Sequence, residues 1–92
     1  MRWYFLIKFF NAKFVPTILI VDGFRFFFYS NENDEPPHIH IVKANASGKV
    51  WLLPTIEVAY MYGFTNAEQK KILEAVHLNY ITFIQKWNDY FG

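Results

Sequence analysis

The dipeptide Asp22-Gly23 lies between two runs of β-branched and aromatic residues, Thr17–Val21 and Phe24–Tyr29. Aspartate and glycine tolerate the positive φ angles that a type I′ turn requires at its two central positions. Two such runs joined by this dipeptide are the strongest short-range hairpin signal a sequence can carry. The chain is therefore predicted to contain an antiparallel pair of strands in which Val21 faces Phe24.

Both faces of the second predicted strand carry aromatic side chains, because alternate residues of a strand point to opposite sides of the sheet. One face has Phe24, Phe26 and Phe28, and the other has Arg25, Phe27 and Tyr29. Apolar residues on both faces indicate a central strand, or a sheet whose second face is covered by a partner.

Two more strands are predicted downstream. Pro36-Pro37 keeps the chain extended, because proline fixes φ and moves the preceding residue away from helical geometry. The third predicted strand is His38–Lys43, followed by a turn at Asn45–Gly48 and a fourth strand at Lys49–Leu53. Four consecutive strands with short connections predict an antiparallel meander.

The C-terminal part has a helical pattern. Thr65-Asn66-Ala67-Glu68 is a capping-box sequence, which predicts a helix that starts after Thr65. Apolar residues then recur on one stripe, at Ile72, Leu73, Val76, Tyr80, Phe83, Ile84, Trp87 and Phe91. For Thr55–Gly63 we favour a short helix or irregular segment, with a strand as the alternative. The predicted fold is α+β, an antiparallel four-stranded meander sheet covered by a long C-terminal helix.

Composition narrows the functional classes. A chain of 92 residues is enough for one domain, and its eleven Phe, six Tyr and three Trp exceed what so small a domain buries, so we expect some to contact a partner. The net charge of +1 gives no long-range attraction to nucleic acid, and the lack of cysteine excludes disulfides and thiol catalysis. The apolar runs in Met1–Phe14 are too short for a membrane span or a secretory signal, so we expect a cytoplasmic protein.

His38 and His40 are the strongest candidates for chemistry. As residues i and i+2 of a strand they project from one face about 7 Å apart. Two imidazoles can perform acid/base chemistry near neutral pH or share a metal ion. In the non-functional alternative they lie on a solvent-facing strand and bond to the acidic loop before them. A metal would need a further ligand, for which the candidates are Glu57, His77, Glu32, Asp34 and Glu35.

Arg25 is the single charge in an apolar strand. Its guanidinium is expected either to form an ion pair or to hold a phosphate, which its planar fork suits. The candidate ion-pair partners are Glu32, Asp34 and Glu57.

Lys43 and Lys49 flank the third turn near Trp51, and Lys70 and Lys71 open the helix. If these residues lie on one face of the fold, they form the kind of basic and aromatic surface that RNA-binding proteins use. Lys43, Lys49 and Trp51 are therefore candidate substrate-binding residues, although such lysines usually only solvate a face. The chain has no glycine-rich phosphate loop, no Gly-x-Ser-x-Gly elbow and no zinc-protease motif, so no cofactor is predicted.

Several segments resemble a small bacterial family, catalogued as domain of unknown function 4160. They are PTILIVDGFRFFFYSNENDEPPHIHI (Pro16–Ile41), GKVWLLP (Gly48–Pro54), YGFT (Tyr62–Thr65) and KWNDYF (Lys86–Phe91). The resemblance runs from Pro16 to the C-terminus. We accordingly divide the chain into an N-terminal extension, residues 1–15, and a single α+β domain, residues 16–92.

The resemblance implies a partnered two-gene module. Such proteins are often encoded beside a second small domain of unknown function, number 2442, in arrangements like toxin–antitoxin pairs, with the histidine-bearing member as the suspected toxin. The motif residues carried over are Arg25, His38 and His40. The chain departs from the family at Val42 and Leu53, where members often have acidic residues.

The leading functional hypothesis is a toxin-like component of a toxin–antitoxin pair that acts on RNA. His38 and His40 would transfer protons on a phosphodiester, and Arg25 or nearby lysines would stabilise the charge of the transition state. The expected partners are a small antitoxin-type protein, RNA or a second copy of the chain, with no membrane. Two alternatives stay open, a non-catalytic protein-interaction module and a metal-dependent hydrolase.

Overall fold

The computed structural model describes residues 17–29 and 34–92, and the N-terminal extension lies outside them. Five strands form one antiparallel sheet in sequence order: β1 Thr17–Val21, β2 Phe24–Phe27, β3 His38–Lys43, β4 Ala46–Trp51 and β5 Glu57–Tyr62. Two helices follow, α1 Asn66–Leu78 and α2 Tyr80–Phe91. The α+β meander is thus confirmed, with one strand more than predicted and with two helices in place of one.

The first hairpin forms as predicted. Asp22 and Gly23 have φ angles of 52° and 80°, and Val21 pairs with Phe24. Both central turn residues therefore lie in the left-handed region that a type I′ turn requires.

The turn between β3 and β4 is shorter than predicted. Lys43 pairs with Ala46, so only Ala44 and Asn45 connect the strands, and Ala44 adopts a φ of 54°. The fourth strand consequently starts at Ala46, three residues before the predicted start. Gly48, predicted to lie in the turn, is instead part of the sheet and pairs with Ile41.

The fifth strand, β5, replaces the short helix that we favoured for Thr55–Gly63. Tyr60 pairs with Lys49, whereas Val58 pairs with Val50, so Ala59 is an additional residue in a β-bulge. A bulge breaks the two-residue period by which a half-buried strand is recognised. The sequence of this segment therefore lacks a clean alternation although it forms a strand.

The core lies between one face of the sheet and the two helices. The sheet contributes Phe24, Phe26, Ile39, Ile41 and Val50, and the helices contribute Ile72, Val76, Phe83 and Trp87. The opposite face of the sheet carries His38 and His40, and we call it the histidine face.

The capping box and the helical break are both visible. Glu68 N donates to Thr65 Oγ1 at 3.0 Å, and Thr65 N donates to Glu68 Oε1 at 2.9 Å, as predicted. The predicted long helix is divided at Asn79, whose side-chain amide and backbone N–H both donate to the carbonyl of Ala75. None of the helices among the described residues has the length and apolarity needed to cross a membrane.

Candidate functional site

Cross-strand pairing builds a compact group around the two histidines. His38 pairs with Trp51 and His40 pairs with Lys49, so all four side chains lie on the histidine face. The two imidazole rings are 5.1 Å apart and nearly perpendicular, at 88°. We call His38, His40, Lys49, Trp51 and the nearby Glu35 the histidine cluster.

His38 is held by the loop that precedes it. Its Nδ1 lies 2.9 Å from the carbonyl oxygen of Pro36. Because a carbonyl only accepts, Nδ1 must carry the hydrogen, and the lone pair of the neutral ring is then on Nε2. The same Nδ1 is 3.8 Å from Glu35 Oε1. The tryptophan rings of Trp51 and Trp87 contact the imidazole at centroid distances of 5.4 and 5.0 Å.

His40 is surrounded by aromatic rings of β2 and of the residues that follow it. Phe27, its cross-strand neighbour, stacks on it at 5.4 Å and 24°. Tyr29 meets it edge-on at 4.9 Å. Its position between two rings fixes the plane of the imidazole.

Lys49 and Glu35 form the charged part of the cluster. Lys49 Nζ donates to Glu35 Oε1 at 2.7 Å and lies 4.3 Å from the centre of the Trp51 ring. Glu35 therefore links the lysine beside His40 to the ring nitrogen of His38. In the sequence Glu35 is only one of several loop acids, because nothing in the spacing shows that the loop folds back to Lys49 of β4.

The two histidines are buried. The exposed fraction is 0% for His38 and 7% for His40. The alternative in which they lie on a solvent-facing strand is therefore wrong. The acidic loop does approach His38, with Glu35 Oε1 at 3.8 Å from Nδ1, but the hydrogen bond of that nitrogen is to the carbonyl of Pro36. Trp87, a residue of the apolar stripe of α2, packs against His38. The only sequence signal for this role of Trp87 is that it lies in KWNDYF, one of the segments that resemble the family.

Arg25 and Lys43 lie apart from the cluster. Arg25 shares the histidine face, where its Nε donates to Thr17 Oγ1 at 2.7 Å and its guanidinium covers the Phe27 ring at 4.6 Å. Within the described ranges it forms no ion pair, and Glu32 lies outside them. Lys43 is on the opposite face, with Nζ over the Phe24 ring at 4.6 Å and 3.7 Å from Glu68 Oε2. The structure thus separates Lys43 from Lys49 and Trp51.

A metal site is not assembled by the part of the chain that the structure describes, since no three residues of the types His, Asp and Glu come together there. Glu57 and His38 are both cross-strand neighbours of Trp51, which separates them. His77 is exposed on α1.

Comparison with known proteins gives a single assignment. The comparisons with curated proteins and with solved structures found no match. A family model matches residues 23–88, which include the whole histidine cluster as well as Arg25 and Lys43. The resemblance found in the sequence is thereby confirmed, and the chain belongs to the family described as Domain of unknown function (DUF4160).

Proposed function

We propose that this protein is the toxin-like component of a bacterial toxin–antitoxin pair, cytoplasmic, and that it acts on RNA through His38 and His40. The observation that carries the proposal is the placement of two imidazoles on one face, 5.1 Å apart, beside the Lys49–Glu35 ion pair. A base, an acid and a cation are the groups that phosphodiester cleavage requires.

The proposed mechanism gives each ring a role. In this mechanism His38, with its ring hydrogen on Nδ1, takes the proton of the RNA 2′-hydroxyl at Nε2 as that oxygen attacks the adjacent phosphorus. His40, as imidazolium, gives a proton to the departing 5′-oxygen. The products are a 2′,3′-cyclic phosphate and a 5′-hydroxyl end. Positioned acid/base groups of this kind accelerate proton transfer about 10²–10⁴-fold.

Burial sets a condition on this mechanism. With His38 fully buried and His40 7% exposed, RNA reaches the pair only after neighbouring aromatic side chains move. Trp51 is the half-buried ring beside His38 and is placed to move with Lys49, whose ammonium rests on it. An antitoxin-type partner that holds these side chains in place would keep the protein inactive.

The same burial favours a second candidate, a non-catalytic protein-interaction module. Each histidine contacts several aromatic rings, as a structural core residue does, and the exposed large side chains Ile20, Tyr62, Leu78 and Ile81 lie elsewhere on the surface. In this candidate function the histidines only pack, and partners bind through those exposed side chains.

Induced expression with matched variants separates the two functions. We expect growth arrest and accumulation of RNA fragments with cyclic phosphate ends from the natural chain. Both should disappear in His40→Asn and in the His38→Asn/His40→Asn double variant. His77→Asn should retain both, because the third histidine is exposed on α1 away from the cluster.

Thermal unfolding of each purified variant shows whether a loss of activity reflects a loss of fold. Arrest that persists in a folded His38→Asn/His40→Asn variant overturns the catalytic role. An absence of arrest with the natural chain overturns the toxin-like proposal and supports the interaction module.

A further inference from the structure

Strand β5 presents an apolar outer edge. It is the last strand of the sheet, and among the described residues only β4 pairs with it. Its sequence, Glu-Val-Ala-Tyr-Met-Tyr, contains neither the lysine nor the proline with which natural edge strands discourage pairing. The side chains of Val58 and Tyr62 are 40% and 65% exposed. An apolar edge of this kind is a template for another strand.

We propose that β5 pairs with β5 of a second copy of this chain, antiparallel and around a two-fold axis. The pairing joins two five-stranded sheets into one continuous sheet and bonds the outer N–H and C=O groups of both edges. A second copy suits this strand because its single charge, Glu57, lies at one end. Antiparallel pairing places the two carboxylates at opposite ends of the interface, where they do not repel.

The bulge determines the register. Pairing with β4 places Glu57, Tyr60 and Tyr62 on the histidine face and Val58 and Met61 on the core face, with Ala59 as the additional residue. Residues opposed in a continuous sheet must point to the same face. Glu57 therefore faces Tyr62 of the second copy, and Val58 faces its Met61. If the pairing were shifted by one residue, residues of the histidine face would oppose residues of the core face, which a continuous sheet does not allow.

The contacts in this register are complementary. The phenol of Tyr62 can donate to the carboxylate of Glu57 in the second copy, and Val58 meets Met61 as an apolar pair on the other face. Because of the two-fold axis, each contact occurs twice in the interface. Since cross-strand pairs contribute about 0.2–1 kcal/mol each, the side chains reinforce the backbone hydrogen bonds.

Charge substitution at Tyr62 tests the interface. Sedimentation equilibrium of the full chain should give twice the 11.0 kDa mass of one copy. Tyr62→Glu opposes two carboxylates at both ends and should raise the dissociation constant roughly tenfold. Tyr62→Lys removes the same ring but faces Glu57 with a positive charge, so it should remain dimeric. A monomeric natural chain, or equal dissociation constants for the two variants, overturns the proposal.

Cysteine cross-linking tests the register, since the chain has no cysteine of its own. Directly opposed residues have Cα atoms about 4.5–5.5 Å apart, which suits a disulfide. A mixture of Glu57→Cys and Tyr62→Cys chains should form mixed disulfide dimers under mild oxidation. Each variant alone should form few, because identical positions are about 17 Å apart along the strands. Preferential self-linking of either variant contradicts this register.

Discussion

The carboxylate of Glu35 holds the charged side of the histidine cluster together. It accepts a hydrogen bond from Lys49, whose ammonium also covers the Trp51 ring. A partly exposed ion pair contributes about 0.2–1 kcal/mol, and a cation–π contact with tryptophan about 0.5–1 kcal/mol. Lys49 is therefore a stabilising residue of the fold.

Lys49→Met removes this ammonium and keeps the apolar stem of the side chain. We expect it to lower the free energy of unfolding by about 1 kcal/mol, measured by urea denaturation. Lys70→Met is the matched control, because Lys70 is exposed on α1 and has no ion pair within the described ranges. Equal losses in the two variants would show that the Glu35 and Trp51 contacts contribute nothing.

Gly48 of β4 pairs with Met61 of β5. A Cβ atom added there would be 2.7 Å from Met61 Sδ and 3.2 Å from the carbonyl oxygen of Tyr60. The methionine can rotate away, but the carbonyl is fixed by the sheet. Glycine is therefore required here by close approach, and its backbone conformation is ordinary.

Gly48→Ala should accordingly destabilise the fold by about 1–3 kcal/mol in guanidinium denaturation. Ser47→Ala, at the adjacent position on the opposite face, should change the free energy of unfolding by less than about 0.5 kcal/mol. Adding Met61→Ala to Gly48→Ala relieves only the sulfur contact. If Gly48→Ala has the same free energy of unfolding as the natural chain, β4 and β5 are not tightly packed at this position.

At the scale of elements, the start of α1 depends on an ionised side chain. The hydrogen bond from the backbone amide of Thr65 holds the pKa of Glu68 below its ordinary value of 4.5, and the charge of Lys43 lowers it further. A carboxyl whose pKa is lower in the folded than in the unfolded protein stabilises the fold above pH 4.5. This contribution is lost as the pH falls through the folded-state pKa.

Glu68→Gln retains a hydrogen-bond acceptor at the third helical position but does not titrate. We expect the natural chain to lose more stability between pH 7 and pH 3 than this variant, as measured by urea denaturation at each pH. Glu74→Gln serves as the control, since Glu74 is exposed on the same helix but outside the capping box. If Glu68→Gln and the natural chain lose equal stability, the capping carboxylate does not govern the acid sensitivity of the fold.

Elements defined by local chemistry were predictable, and those that depend on distant partners were not. Asp22-Gly23 determines its own turn, and the Thr65 capping box determines its own helix start. Strand β5 depends on β4 for its register, and the bulge at Ala59 removes the alternation that would have revealed it. The break at Asn79 was missed because the apolar stripe continues through it.

At the scale of the whole molecule, the same difference between local and distant interactions explains which features of the histidine cluster could be predicted. The common face of His38 and His40 follows from the two-residue period of a strand and was predicted. The contacts of His38 with Glu35 in the preceding loop and with Trp87 in the last helix arise only in the complete fold, which brings these distant residues to β3. The separation of Lys43 from Lys49 likewise follows from the two-residue turn at Ala44.

Trp87 joins α2 to the sheet and to the histidine cluster. Its ring contacts Phe28 at 5.1 Å, Phe91 at 4.2 Å and His38 at 5.0 Å, and 5% of the residue is exposed. Truncation of a buried tryptophan to alanine costs about 3–5 kcal/mol, a large share of the roughly 5–15 kcal/mol that stabilises a domain. The last helix and the histidine cluster should therefore lose their structure together.

Trp87→Ala is expected to lower the thermal unfolding midpoint strongly and to expose the His38 ring. The exposure can be measured from the imidazole proton signals in an NMR spectrum. Trp87→Phe, which keeps a ring, should have a smaller effect and provides a folded variant for measurement. Ile81→Ala is the control, because Ile81 is on the same helix and 65% exposed. A loss of stability in Trp87→Ala no larger than in Ile81→Ala would mean that α2 is not anchored at the cluster, and that the burial of His38 has another cause.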